Sequence, residues 1–384
     1  MRFFHLSDLH IGKKLHHYNL KEDQKVILEE IIEYAKEYHP DAILIAGDIY
    51  DKSVPSAEAV TVFDEFLTGL SEITPAIPVL MIAGNHDSAE RLQYASEILK
   101  RQHIYVAGSA PMTQEEHMPK VTFTDAFGEV DVYLLPFLKP SYVRNVFEGE
   151  APESYSDAVK WLIEREEIDY KGRRNVLVSH QFYAGSVPPE TCDSETVSVG
   201  GIDNVHVQAV EQFDYVALGH LHGKQQVGKE YIRYCGTPLK YSVSEAGQVK
   251  CLTMVTLMEK AEPVTITELM LHPIRDVKKK AGTLEELLKG ADPKEMGDYI
   301  SITLTDEVDP YQPKERLEDV YSHILEIRID NERTRNKLSE FDEETEIKSP
   351  FEAFNDFFEE MQGRSLTEEE KQFVVKIMEQ AEEE

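Results

Sequence analysis

Cysteine is scarce in this sequence, and long apolar runs are absent from it. The three cysteines, Cys192, Cys235 and Cys251, are well separated and form no CxxC pair among 384 residues. We expect reduced thiols in a cytoplasmic protein. No run of about 18 apolar residues occurs, so no membrane-spanning helix is expected. The first eight residues lack the apolar segment of a signal peptide.

Positive charge is also in short supply. Lysine and arginine total 40 against 72 aspartates and glutamates, which gives a formal net charge of −32. This balance argues against a generic nucleic-acid binder, because such proteins are usually basic. It leaves room for a nucleic-acid enzyme, since bound metal cations add local positive charge and a partner can supply a basic surface. The hydrophobic fraction of 41% suits a globular protein with a sizeable core, in two or three domains.

Five short apolar segments, each a predicted strand, are followed at once by aspartate, asparagine or histidine. In chain order the residues that follow them are Ser7-Asp8-Leu9-His10, Gly47-Asp48-Ile49-Tyr50-Asp51, Gly84-Asn85-His86-Asp87, His180 and Gly219-His220-Leu221-His222. Ligands of open α/β sheets bind beyond the carboxyl ends of the strands, so five such endings predict one shared site. Carboxylates, amide oxygens and imidazoles are ligands for divalent metals.

The remaining pattern predicts a layered α/β domain and a smaller unit after it. Amphipathic segments at residues 22–37, 56–70 and 88–100 alternate with strands, which implies βαβ units. The later strands, which suggest a mixed sheet or a two-sheet sandwich, are 121–124, 132–135, 231–235, 251–257 and 264–269. Past a boundary near residue 272 we expect a helix opened by the capping box at Thr283, a strand at 299–304, a helix at 314–321 and an extended segment at 324–329.

The five polar groups resemble the motifs of the calcineurin-like metallophosphoesterases. Spacing, length and tail are most similar to the SbcD branch, the nuclease subunits of bacterial SbcCD complexes. The likeness covers about residues 1–240 and continues more weakly to the C-terminus. It implies an α/β fold, a four-layer α/β/β/α sandwich with a small capping domain and a helix-loop-helix tail. The implied divisions are a nuclease domain at 1–271, a DNA-binding capping domain at 272–338, an acidic linker at 339–348 and a docking module at 349–384.

The resemblance also implies two divalent ions per chain. By the family pattern, Asp8, His10, Asp48 and His222 hold one ion, and Asp48, Asn85, His180 and His220 hold the other. Asp48 is the natural bridge of a two-metal phosphoryl site. Mixed histidine and carboxylate ligation suits manganese or ferrous iron better than magnesium, which prefers all-oxygen shells.

Three residues beside the ligands are catalytic candidates. His86 is expected to protonate the leaving oxygen or to stabilise developing charge, because imidazole titrates in the useful pH range. Asp87 is expected to orient His86 or a metal-bound histidine. Asp51 is either catalytic or a residue that shapes its loop.

Two surface features each have two interpretations. The loop at residues 13–17, with two lysines and two histidines, either contacts DNA phosphates or is simply solvated. By resemblance, the helices at 56–70 and 88–100 form a homodimer contact within a heterotetramer, but their apolar residues could equally be ordinary core.

The tail at residues 349–384 predicts two short helices that need a surface to pack on. Capping boxes open them at Ser349-Pro350-Phe351-Glu352 and Thr367-Glu368-Glu369-Glu370. Apolar residues follow at helical spacing, and helices this short cannot form a stable core alone. They therefore dock on the ATPase partner SbcC or pack onto the chain's own body.

The function that this pattern favours is a two-metal DNA nuclease. It would be a double-strand exonuclease and a single-strand or hairpin endonuclease, processing DNA ends and hairpins in repair and replication together with SbcC. A phosphomonoesterase or a small-molecule phosphodiesterase is the alternative, because fold and metals do not fix the substrate. An interaction protein with an inactive site is a third hypothesis, and the intact ligand set argues against it.

Overall fold

The computed structural model describes residues 1–147, 149, 151–195, 203–308 and 310–332, and isolated positions between 354 and 374. Its strands are β1 (Arg2–Leu6), β2 (Lys14–Leu15), β3 (Tyr18–Asn19), β4 (Ala42–Ala46), β5 (Val79–Ile82), β6 (Ile104–Ala107), β7 (Lys120–Asp125), β8 (Gly128–Leu135), β9 (Arg174–His180), β10 (Phe182–Ala184), β11 (Asn204–His206), β12 (Tyr215–Gly219), β13 (Gln225–Val227), β14 (Lys229–Tyr234), β15 (Cys251–Thr256), β16 (Thr265–Met270), β17 (Val277–Gly282), β18 (Tyr299–Leu304) and β19 (His323–Ile329). Its helices are α1 (Lys21–Tyr38), α2 (Ala57–Ser71), α3 (Ala89–Leu92), α4 (Ser96–Leu99), α5 (Pro140–Val143), α6 (Tyr155–Arg165), α7 (Leu284–Lys289) and α8 (Pro313–Glu318).

Two six-stranded mixed sheets carry the candidate site. The first has the order β16-β15-β1-β4-β5-β6, and the second has the order β13-β14-β12-β9-β8-β7. Strands β1, β4, β5 and β6 run parallel, as do β14, β12, β9 and β8. Antiparallel strands flank each parallel set. The strands that end in polar residues, β1, β4 and β5 in one sheet and β9 and β12 in the other, therefore belong to the parallel sets.

Alternate side chains of each strand enter different layers of the core. In β4, Ile43 and Ile45 pack with α1 and α2, whereas Leu44 joins the core between the two sheets. In β9, Leu177 packs with α6, and Val178 enters the same inter-sheet core. Because side chains alternate along a strand, an apolar run buries both faces of its sheet. The layers are helix, sheet, sheet and helix, which confirms the predicted fold class.

Helices α1 and α2 follow the predicted periodicity closely. In α1 the buried positions include Ile27, Ile31 and Ala35, which recur on one helical face. Helix α2 begins after Ser56, whose hydroxyl accepts a hydrogen bond from the Ala59 amide at 3.2 Å. Both predicted helices are confirmed, because local periodicity and capping residues agree with the packing.

The prediction of one continuous helix over residues 88–100 is wrong. The chain forms α3 and α4 separately, and between them Ala95 has a left-handed φ of 60°. A left-handed residue cannot continue a right-handed helix. The apolar residues of this region divide accordingly, since Leu92 is buried while Tyr94 and Ile98 are 81% and 66% exposed.

A three-stranded sheet follows the two large ones, with the order β17-β18-β19. The predicted strand at 299–304 coincides with β18, and the capping box at Thr283 opens α7 as predicted. The predicted helix at 314–321 is shorter, since α8 ends at Glu318. The strand-and-helix character of this region is confirmed.

The chain forms two compact units. One comprises residues 1–280, 291–302 and 318–326, and the other comprises 281–290, 303–317 and 327–384. In the tail, Glu370 accepts a hydrogen bond from the Thr367 amide at 2.9 Å, and the Glu370 amide donates to Oγ1 of Thr367 at 3.4 Å. This confirms the second capping box. The first box and the acidic linker at 339–348 lie outside the described residues.

All three cysteines are free thiols, as predicted. Among the residues that the structure describes, no helix is both long and apolar enough to cross a membrane.

Candidate metal centre

Two neighbouring loops bring the first carboxylates together. The loop after β1 carries Asp8 and His10, and the loop after β4 carries Asp48, with φ angles of 52°, 42° and 50°. Left-handed backbone costs a side-chain-bearing residue about 1–3 kcal/mol and persists only where its surroundings enforce it. Here the amides of Asp8 and His10 donate to the carbonyls of Gly47 and Asp48 at 2.9 and 3.0 Å. The paired loops therefore hold the strained residues in place.

Two glycines let further backbone approach these loops. A methyl group added at Gly84 would lie 2.8 Å from Cγ of Asp48 and closer still to its backbone nitrogen. A methyl group added at Gly219 would lie 2.8 Å from Nδ1 of His180 and would collide with the carbonyl of Ala46. Real Cβ atoms essentially never make contacts under 3.0 Å. Both positions therefore require glycine for close approach rather than for a special φ.

Asp8, His10 and His222 form one buried group, whose ligand atoms all lie within 4.8 Å of one another. Nε2 of His10 is 3.1 Å from Nε2 of His222 and 4.0 Å from Oδ1 of Asp8. Burial lowers the pKa of His10 well below its usual value, so the ring is neutral. Facing lone pairs on two imidazoles repel each other unless a proton or a cation lies between them. This group is suited to a cation.

A second group surrounds Asn85. Its Oδ1 atom lies 3.0 Å from Nε2 of His180 and 3.0 Å from Nδ1 of His220. Oδ2 of Asp48 is 3.5 Å from Nε2 of His180 and 3.6 Å from Nε2 of His10. Asp48 therefore lies between the two groups, in the position that a bridging carboxylate needs.

Charge in the second group is set by burial and by mutual contact. Burial opposes ionisation of Asp48, but the neighbouring His180, His10 and His86 hold its pKa well below the usual range. Burial also disfavours the charged form of His180, yet Asp48 raises its pKa to about 9. Burial lowers the pKa of His220 to about 3, and Nε2 of His220 has no hydrogen-bond partner within the described chain. An ionised carboxylate with mostly neutral imidazoles fits divalent cations, which would displace the proton of His180.

Hydrogen bonds decide which histidines can act as ligands. Nδ1 of His180 donates to the carbonyl of Ala46 at 2.7 Å, which directs Nε2 to the ligand group. His5, in β1, is different. Its two ring nitrogens bond to the hydroxyl of Tyr215 at 2.9 Å and to the carbonyl of Leu218 at 3.1 Å. His5 is therefore a satisfied core residue, whereas His180 presents a nitrogen to the centre.

His86 and Asp51 form a pair at the edge of the centre. Nδ1 of His86 donates to the backbone carbonyl of Asp51 at 2.9 Å. The ring of His86 packs edge-on against His10, with ring centroids 4.9 Å apart. The carboxylate of Asp51 forms an ion pair with Lys13 at 2.8 Å. Asp51 thus contacts His86 through its backbone, and its side chain holds the first residue of the basic loop at 13–17.

Asp87 ties the loop after β4 to the turn after β5. Its carboxylate accepts hydrogen bonds from the amides of Ile49 at 3.1 Å, Tyr50 at 2.9 Å and Gly84 at 2.9 Å. Burial raises the pKa of Asp87 to about 6. All of its described hydrogen bonds go to backbone amides, so its contacts favour holding the two turns together over orienting the ring of His86.

Several residues around His222 were not predicted from the sequence. Ser194, Glu195, Glu245 and Lys250 all hydrogen-bond to His222 or to one another. Burial opposes the charge of Glu245, but His222 and Lys250 hold its pKa well below the usual range. None of these residues follows a predicted strand or belongs to a recognisable spacing. The one signal for them in the sequence is Glu245 with Lys250 five residues later, two opposite charges that form an ion pair in the structure.

Comparison with known proteins places these residues in a family. The calcineurin-like phosphoesterase family matches residues 1–224, and the Type 5 capsule protein repressor C-terminal domain matches residues 270–362. A protein of Staphylococcus epidermidis, named as the SbcD component of the SbcCD nuclease, is 32% identical over 328 residues, which are 85% of this chain and 84% of that protein. The chain belongs to the SbcD family of calcineurin-like phosphoesterases.

Similarity to other SbcD proteins extends over the whole length. A Staphylococcus saprophyticus protein with the same name is 29% identical over 387 residues, 98% of each chain. Among solved structures, a dimetal phosphatase from Danio rerio aligns with a TM-score of 0.40 at 13% identity, over 70% of this chain and 96% of that one. As a calcineurin-like phosphoesterase, the chain is expected to bind divalent metals, and the candidate ligand groups fit them.

Proposed function

We propose that this chain is the metal-dependent nuclease component of an SbcCD complex. The observation that carries the proposal is the position of Asp48 between two ligand groups, in a chain that aligns end to end with a protein named as the SbcD component of that nuclease. The reaction would be hydrolysis of DNA phosphodiester bonds, as a double-strand exonuclease and a single-strand or hairpin endonuclease in repair and replication.

Seven residues would hold two divalent ions. Asp8, His10, Asp48 and His222 would hold one, and Asp48, Asn85, His180 and His220 the other. Four histidines among seven ligands favour manganese or ferrous iron over magnesium. When bound, such ions stabilise negative charge on phosphoryl oxygens and make water a better nucleophile. The ligand residues would hold the ions at the ends of strands from both sheets.

His86 would move the proton that the leaving oxygen needs. Its Nδ1 atom is committed to the carbonyl of Asp51, so Nε2 is the atom available for proton transfer. Asp51 would orient that ring through its backbone, and the Asp51–Lys13 ion pair would fix the loop. Asp87 would hold the turns after β4 and β5 together through its hydrogen bonds to both. This division makes His86 the catalytic residue and the two aspartates positioning residues.

The assembly would be a cytoplasmic heterotetramer with SbcC. The tail at 349–384 would dock on the SbcC ATPase, and the capping box at Thr367 supports a helix there. The exposed Tyr94 and Ile98 would contribute to the homodimer contact. The capping domain, from residue 272 to 338, would contact DNA beside the nuclease site.

The decisive experiment compares Asp48→Ala with wild type in two ways. Manganese binding is measured first, and hydrolysis is then measured with linear duplex DNA, hairpin DNA, a nitrophenyl phosphodiester and a nitrophenyl monoester. Asp48→Ala should lose metal and most cutting, because its carboxylate serves both ligand groups. Asp64→Ala, an exposed carboxylate on α2, is the matched control and should behave as wild type. Full nuclease activity of Asp48→Ala at ordinary manganese levels would contradict the proposal. Wild-type turnover of the monoester without cutting of DNA would favour a phosphomonoesterase instead.

A further inference from the structure

His222 is held from three directions by residues outside the ligand set. Its amide donates to Oε1 of Glu195 at 2.5 Å, and its carbonyl accepts from Nζ of Lys250 at 2.9 Å. Its ring atom Nδ1 lies 2.6 Å from Oγ of Ser194. Both the backbone and the ring of this candidate ligand are therefore fixed by side chains outside the five strand-end groups.

The hydrogen bonds around Ser194 run in one direction. Glu245 is fully buried and paired with Lys250 at 2.7 Å, so it is a carboxylate that can only accept hydrogen bonds. The hydroxyl of Ser194 donates to Oε1 of Glu245 at 2.7 Å. A hydroxyl has one hydrogen, so the Ser194 oxygen must accept the Nδ1 proton of His222. A neutral His222 then carries its lone pair on Nε2, the atom that lies 3.1 Å from Nε2 of His10.

We propose that Ser194 and Glu245 are positioning residues that fix His222 in the tautomer presenting Nε2 to the metal centre. The segment at residues 190–195 thereby completes the centre from outside the five motif loops. This inference rests on the proposed role of His222 as a ligand. Partners that fix the tautomer and orientation of a ligating histidine typically change metal affinity about 10–100-fold when they are mutated.

A third ion is the competing explanation of the same cluster. The ligand atoms of Cys192, His222 and Glu245 lie within 4.8 Å of one another, which is close enough for a cation. However, the ammonium of Lys250 already neutralises Glu245, and Ser194 already occupies Nδ1 of His222. Burial raises the pKa of the Cys192 thiol to about 12, and the thiol donates to Oε1 of Glu195 at 3.3 Å, so its proton already has an acceptor. The contacts therefore favour positioning over ligation.

The test measures manganese binding by full-length protein in Ser194→Ala, Ser194→Thr and Ser244→Ala. Ser244 is a matched control, because its hydroxyl contacts Asp193 of the same segment and Ser242 but not His222. Free manganese is followed by electron paramagnetic resonance. Ser194→Ala should weaken the binding of one of the two ions about 10–100-fold and leave the affinity for the other unchanged. Ser194→Thr, which keeps a hydroxyl, should restore binding, and Ser244→Ala should match wild type.

A second measurement needs no metal. In metal-free protein with ¹⁵N-labelled histidine, His222 should have a protonated Nδ1 and an unprotonated Nε2, and Ser194→Ala should mix the two tautomers. Equal manganese affinity in Ser194→Ala and wild type, or an unchanged tautomer, overturns this inference alone. A third bound ion that is lost in Cys192→Ala also overturns it. Failure of the proposed function has a different signature, namely wild-type protein that binds no ion or Asp48→Ala that binds two.

Discussion

Replacing Gly84 by alanine tests whether the site depends on the close approach of the turn after β5 to Asp48. The new Cβ atom would lie 2.8 Å from Cγ of Asp48, and ordinary contact begins at 3.4 Å. Relieving that contact alone requires a relative shift of 0.6 Å, and the tighter contact with the Asp48 backbone nitrogen requires more. The residue displaced by this shift would be Asp48, which lies between the two ligand groups.

The expected cost follows from that displacement. Misplacement of reacting groups by about 1 Å can lower a rate on the order of 100-fold, so we expect Gly84→Ala to lose about 10- to 100-fold in DNA cutting. Manganese affinity should fall at both ion sites, because Asp48 lies near both ligand groups. The assay is manganese-dependent cleavage of linear duplex DNA, with metal content measured on the same samples.

A matched glycine separates the site effect from a general effect of the added methyl. Gly297→Ala meets nothing within 4 Å and should match wild type in rate, metal content and thermal stability. Circular dichroism must show that Gly84→Ala is folded. A folded Gly84→Ala protein with wild-type rate and two ions bound would refute the reasoning, since Asp48 would then tolerate a displaced neighbour.

Three other changes probe separate parts of the molecule. His86→Ala should keep both ions but cut about 10²–10⁴-fold more slowly, and loss of metal by elemental analysis would make His86 a ligand instead. Asp125→Asn should lower the free energy of unfolding by about 1–2 kcal/mol at neutral pH, because Arg174 is buried and bonds to that carboxylate. That bond holds the pKa of Asp125 below its usual value, so its contribution is present above about pH 4 and is lost as pH falls further; urea unfolding of the mutant and wild type should converge in acid. Deleting residues 349–384 should leave manganese-dependent cutting of simple substrates and abolish binding of SbcC in calorimetry; unchanged affinity would contradict the docking proposal.

The fold and the clustering of the polar residues at the strand ends were predictable from the sequence, because both depend on local pattern. Apolar runs that end in polar residues identify strands and their carboxyl ends, and parallel strands bring those ends together. The break at Ala95 was not predictable, because apolar periodicity does not report a left-handed residue. The position of Asp87 was not predictable either, since only the folded turn shows its carboxylate facing three amides. Ser194 was missed because it lies 28 residues from His222 and is brought there by tertiary packing alone.

The division of the candidate ligands between the two sheets would link catalysis to folding. Asp8, Asp48 and Asn85 follow strands of one sheet, whereas His180 ends β9 and His220 follows β12 of the other. A chain with only one sheet formed would have half a site and little affinity for metal. Ions that bind only the assembled sandwich would stabilise it by about 2.7 kcal/mol at a free concentration of 100 times Kd. An incompletely folded chain would therefore be harmless to DNA, and removal of the ions by a chelator would loosen the contact between the two sheets at the proposed site.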